Sequence, residues 1–60
     1  MVEPGELRGK TLLGTEAVYR VIALEGELVL VEVVSAPGLA PGDRFRFTLS
    51  AVEAMAVVRS

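Results

Sequence analysis

The sequence predicts a mainly β domain: a small five-stranded antiparallel barrel or strongly curved sheet, with one short helical turn before the last strand. Three observations predict it. Leu28-Val29-Leu30-Val31-Glu32-Val33-Val34 is β-branched at four of seven positions and charged at one, the composition of a pleated and largely buried central strand. Arg44-Phe45-Arg46-Phe47-Thr48-Leu49 alternates polar with apolar side chains at period two, as a strand with one buried face does. Between them, Ala36-Pro37-Gly38-Leu39-Ala40-Pro41-Gly42-Asp43 holds two Pro-Gly pairs. Proline fixes its own φ and glycine admits positive φ, so such a loop closes a hairpin with little entropy to lose.

From the N-terminus, Pro4, Gly5 and Gly9 fall among charges, so residues 1–9 are expected to form an irregular surface lead-in to a single domain spanning 1–60. A short first strand over Lys10–Leu13 starts near Leu7 or Lys10, Gly14-Thr15 turns the chain, and Glu16–Leu24 forms a long second strand. Glu25-Gly26-Glu27 then reverses direction. A three-residue loop there sets Ala23 opposite Val29, Val21 opposite Val31 and Tyr19 opposite Val33, a uniformly apolar face. Pairing Val33 with Phe45, Val31 with Phe47 and Val29 with Leu49 continues that layer and gathers Arg20, Glu32 and Arg46 in a row on the other side, where opposite charges meet. A two-residue Glu25-Gly26 turn would suit the glycine but sets Arg20 against Val31 and mixes the faces, so the longer loop or a bulge near Gly26 is preferred.

At the C-terminal end, Ser50-Ala51-Val52-Glu53 has the spacing of a capping box, in which Ser and Glu satisfy each other's backbone donors. It predicts a helical turn over 51–54, followed by a final strand from Met55 to Arg59. A helix running to Arg59 is the alternative, disfavoured because about ten residues make a poorly stabilised helix and Val57-Val58 is β-branched. Five short strands with a helical turn before the last resemble the SH3-like small β-barrel, a superfold rather than a family. By analogy such barrels take protein-binding, RNA-binding and purely structural roles, so the resemblance leaves function to the surface.

Composition narrows the functions. Sixty residues form one small domain, and a chain of that size removes only about 60% of its unfolded surface from water. The usual staples need cysteine or histidine, and the sequence has neither, so no disulfide and no zinc, haem or iron-sulfur ligand set is expected. Self-association is the remaining common support. Hydrophobic residues are 52% of the chain and aromatics 5%, more aliphatic surface than so small an interior hides. No apolar run approaches the roughly 20 residues of a membrane helix, and the first residues lack the basic and apolar regions of a signal peptide, so a cytoplasmic protein is expected. The chain also has no Asn, Gln, Cys or Trp, a bias compatible with a thermophile. A net charge of −2 gives no long-range attraction toward phosphate backbones.

Catalysis needs a nucleophile, an acid-base group or a metal, and the inventory is thin. Spacing leaves a Ser-Lys pair such as Ser50 with Lys10 open for nucleophilic chemistry, but nothing in the sequence marks either residue. Glu25 and Glu27 bracket a hairpin tip where solvent screens both, and no stretch concentrates oxygen donors as a calcium loop does. No enzyme activity, catalytic residue, cofactor or metal is therefore expected. The Pro-Gly loop lacks the Lys and Ser or Thr of a phosphate cradle and reads as a rigid connection, with Leu39 at its tip as an anchor for a partner.

Two interaction surfaces remain. In the expected register Val18 pairs with Val34, Ile22 with Leu30 and Leu24 with Leu28, all directed away from the phenylalanine layer. Six aliphatics of this size approach the few hundred Å² above which an exposed patch marks an interaction site. Two explanations compete. Strong curvature lets the terminal strands cover part of the patch, or a two-fold contact between copies, with a dimer favoured, covers it. The second is the leading expectation, and a protein-interaction or assembly role follows from it. The alternative is single-stranded nucleic-acid binding through Arg20, Arg44 and Arg46, with Arg8 and Lys10 extending that side. It is weaker, because Phe45, Phe47 and Tyr19 are expected to point inward and leave no platform on which bases stack, and Glu32 neutralises the middle of the patch.

Overall fold

The computed structural model describes residues 1–58, so Arg59, the expected end of the last strand, lies outside the described residues. The chain forms β1 (Leu7–Leu12), β2 (Thr15–Glu25), β3 (Leu28–Ser35), β4 (Arg44–Thr48), α1 (Leu49–Glu53) and β5 (Ala56–Val58). All pairings are antiparallel, in the order β4-β3-β2-β1-β5. The sheet curves strongly without closing, and β4 and β5 remain its two edges.

The core is mostly aliphatic, with Tyr19 its buried aromatic, and lies in the hollow of the sheet. Tyr19 and Val21 of β2 and Val29, Val31 and Val33 of β3 are buried, with Val52 of α1, Met55 and Val2 closing one side. Leu12, Ala36, Phe45, Phe47 and Leu49 pack against this cluster from the rim. The face assignment from period-two alternation holds for the layer of Val29, Val31, Val33, Phe45 and Phe47.

The register differs in two places, each for a countable reason. The β2–β3 connection is a two-residue turn, Gly26-Glu27, with Glu25 opposite Leu28. Continued without interruption, that turn would set Val21 against Glu32. A bulge at Ile22 absorbs one residue and restores Val21 opposite Val31, Arg20 opposite Glu32 and Tyr19 opposite Val33. The irregularity expected at Gly26 therefore sits four residues earlier, and a second one falls at Val34, between Tyr19–Val33 and Val18–Ser35. Between β3 and β4 the strands slide by two: Val31 faces Phe45 and Val29 faces Phe47. Val33 is instead bonded to the loop, accepting from Gly42 N and donating to Asp43 O. A slide of two conserves the face of every side chain, so the apolar layer survives it.

The ends also depart from expectation. The lead-in is irregular through Glu6, and Met1, Glu3, Pro4 and Gly5 are exposed as a surface segment is, but it is anchored to the domain. Val2 is buried, and Gly5 N donates to Val21 O while Glu6 O accepts from Val21 N, which ties the segment to β2. Gly9 lies where β1 passes between neighbours: a Cβ there would stand 2.9 Å from Val58 Cγ2 and 3.2 Å from the Ala17 carbonyl oxygen. The first turn is Leu13-Gly14 rather than Gly14-Thr15, with both residues at positive φ, 49° and 78°. The helical turn begins two residues earlier than expected, at Leu49. Its cap is Thr48, whose Oγ1 accepts from Ala51 N at 3.3 Å, and the Ser50/Glu53 box is not the one used. Thr48 is the last extended residue of β4, so the side chain that ends the strand also starts the helix.

Candidate interaction surface

The register distributes the six expected contact residues unevenly. Val18, Ile22, Leu28 and Leu30 occupy the outward face, as alternation requires, and Val34 sits at its bulge. Leu24 does not belong there. Because the bulge consumes Ile22, Leu24 falls opposite Val29 and shares the core-side face, 46% exposed at the end of the sheet. Val18, Ile22 and Leu30 are half-buried, while Leu28 and Val34 are exposed at opposite ends of β3. The Ile22–Leu30 and Leu24–Leu28 pairs are replaced by Ala23–Leu30 and Leu24–Val29.

Ion pairs occupy the middle of that face. Arg20 Nη1 lies 3.8 Å and Arg44 Nε 3.4 Å from the two oxygens of Glu32, and Arg46 Nε stands 2.8 Å from Glu25 Oε1. The slide of two residues puts Arg44, not Arg46, beside Glu32. All three arginines expected for phosphate contact are therefore already paired with carboxylates. Exposed pairs of this kind contribute little stability, about 0–1 kcal/mol each, but they lower the positive potential of the face. Arg8 does not extend this side: it is 6% exposed, beneath the core. Its Nε donates to Glu6 Oε1 at 2.8 Å, Nη1 to Met55 O at 2.9 Å and Nη2 to Met1 O at 3.2 Å. The hydrogen bond from Arg8 holds the Glu6 carboxyl below the usual carboxylate range.

The phenylalanines face the core side but are only half-buried. Their rings lie nearly parallel, 8° apart with centroids 6.4 Å apart, and Tyr19 meets Phe47 edge-on at 5.2 Å. Lys10 Nζ stands 5.8 Å from the Phe47 centroid. Lys10 is on the face opposite to the arginines, since it pairs with Ala17 and not with Val18. Both phenylalanine rings remain partly in solvent, which alternation alone does not reveal.

Among the described residues Lys10 and Ser50 share no hydrogen bond. Lys10 lies over Phe47, and the Ser50 hydroxyl is 3.5 Å from that of Thr48. Glu25 is engaged by Arg46, whereas Glu27 lines a groove. Among the described residues no group of three or more potential ligands is placed to hold a metal ion.

Two features escaped sequence reasoning. One is that groove, of about 480 Å³, bounded by Glu27, Leu28, Thr48, Leu49, Ser50 and Glu53. The Leu49 N to Glu27 O bond of 2.7 Å fixes its two walls together. The other is Leu13, 98% exposed at the tip of the first hairpin. Placing the turn one residue earlier would have found it. Leu39 is exposed at the Pro-Gly loop, bridged to Ala36.

No protein-family model, curated protein or solved structure matches the chain. Fold and surface thus stand on the architecture itself: a mainly β domain of five antiparallel strands in one open sheet.

Proposed function

We propose that the protein is a non-enzymatic assembly module that associates with further copies of itself. One observation carries the reading. Among the described residues nine apolar side chains are buried, while Leu13, Leu24, Leu28, Val34, Leu39 and Val57 are 36% exposed or more. A domain with so small an interior gains stability by covering such surface, at very roughly 25 cal/mol per Å² before association costs. Leu13 and Leu39 lie in connections and Leu24, Leu28 and Val34 near strand ends, while Arg20, Glu32 and Arg44 hold the centre of the outward face. A cytoplasmic setting is part of the reading and rests on the sequence alone. Sedimentation velocity across a concentration series is the test. Mass-average values that rise with concentration are expected, and a strict monomer at about 0.1 mM, where even weak contacts populate, overturns the proposal.

A second reading has its own observation. The half-exposed Phe45–Phe47 pair beside Lys10 is a stacking surface with an adjacent cation, the combination that binds single strands. It moves the nucleic-acid surface from the arginine face to the opposite one. Titration of labelled single-stranded RNA at low salt tests it: binding that Phe45→Ala weakens supports this reading, and no binding removes it.

A further inference from the structure

Leu13 combines two unfavourable features. It occupies the first position of a two-residue turn at φ 49°, where glycine, asparagine and aspartate are the residues that fit. It also leaves its whole side chain in water, 98% exposed. Neither feature is offset by a contact inside the domain. Strain and exposure at one residue are the pattern expected where a side chain is kept for something outside the chain.

The groove of Glu27, Leu28, Thr48, Leu49, Ser50 and Glu53 lies at the other end of the molecule. In an antiparallel succession of strands, the β1–β2 turn and the Pro-Gly loop fall at one end, and the β2–β3 turn and α1 at the other. The groove's volume of about 480 Å³ leaves room for a leucine side chain, and Leu28 and Leu49 supply apolar wall. Its carboxylates, Glu27 and Glu53, form no ion pair among the described residues. Lys10, on the strand leading to Leu13, has none there either, and the acidic Glu16 of that hairpin sits on the opposite face, across from Thr11. The hairpin therefore offers an aliphatic knob and, on the strand behind it, an ammonium over Phe47 with no carboxylate partner among the described residues, and the groove offers aliphatic wall with anions at its rim.

We propose that Leu13 of one copy seats in the Glu27–Glu53 groove of the next, so that copies join end to end. This rests on the self-association proposed above and specifies its mode. Because knob and groove are different surfaces, the contact is heterologous, and it builds rings or open chains and not a two-fold dimer.

The geometry makes an unusual demand on one variant. Leu13→Asn suits the left-handed backbone better than leucine, so it is expected to melt at a higher temperature as a monomer and yet weaken association by at least about tenfold. Glu27→Lys/Glu53→Lys reverses the groove's charge at exposed positions and is expected to abolish association as well. Mixed together, the two variants still provide one intact groove and one intact knob, so sedimentation is expected to show a 1:1 complex that neither forms alone. If the wild type associates and Leu13→Asn associates equally, the end-to-end contact is wrong and self-association stands. If both variants are monomeric but the mixture is too, the heterologous geometry is wrong. A monomeric wild type removes both proposals.

Discussion

Arg8 is the residue whose replacement has the clearest expected cost. Its guanidinium is almost fully buried and satisfies one carboxylate and two backbone carbonyls, those of Met1 and Met55. Arg8→Met keeps much of the aliphatic volume but strands both carbonyls and the Glu6 carboxylate. A loss of about 2–4 kcal/mol is expected from urea unfolding, with the slope unchanged if the fold is retained. Glu6 gives a pH test of the same contact. Its carboxyl ionises at lower pH in the folded chain than in the unfolded one, because Arg8 donates to it. Such a group contributes fully above its unfolded value and fades as pH falls through its folded value. Glu6→Gln is therefore expected to lower the melting temperature at neutral pH, the difference from wild type closing as the solution becomes strongly acidic. A difference that stays constant across that range would contradict the pairing. Neither contact was readable beforehand: an arginine between Leu7 and Gly9 looks like a surface residue until the N-terminal segment folds beneath it.

For the elements, parity was legible and register was not. Alternation places Phe45, Phe47, Val29, Val31 and Val33 on one face, and a slide of two residues leaves that assignment intact, so β4 could move against β3 without any signature in the pattern. The bulge at Ile22 is hidden for a related reason. A three-residue loop without a bulge and a two-residue turn with one both bring Tyr19 to Val33. They differ only beyond the bulge, where Leu24 changes face. The helix start was misread because Thr48 and Ser50 both qualify as caps, and which one serves depends on where β4 stops. The structure makes Thr48 the cap, so Thr48→Ala is expected to cost about 1 kcal/mol, and Ser50→Ala no more than a few tenths, by thermal denaturation. The reverse ranking would restore the Ser50 box.

Across the whole molecule, composition foretold an excess of aliphatic surface but not its position. That position follows from the bulge, the ion pairs across the outward face and the place of the first turn, none of which composition encodes. Topology also orders the events of folding. The hairpins β1–β2, β2–β3 and β3–β4 join neighbours in sequence, while the bond from Arg8 to Met55 spans 47 residues. Loop closure of that length is gained after the hairpins have condensed. The Arg8 clasp should therefore be absent from the rate-limiting ensemble. In stopped-flow measurements Arg8→Met is expected to hasten unfolding and barely slow refolding, a φ-value near 0, whereas Val31→Ala in the central strand gives a clearly larger one. The guanidinium beneath the sheet then acts as a latch on lifetime: it sets how long a finished molecule stays shut, and has little to do with how quickly one is made.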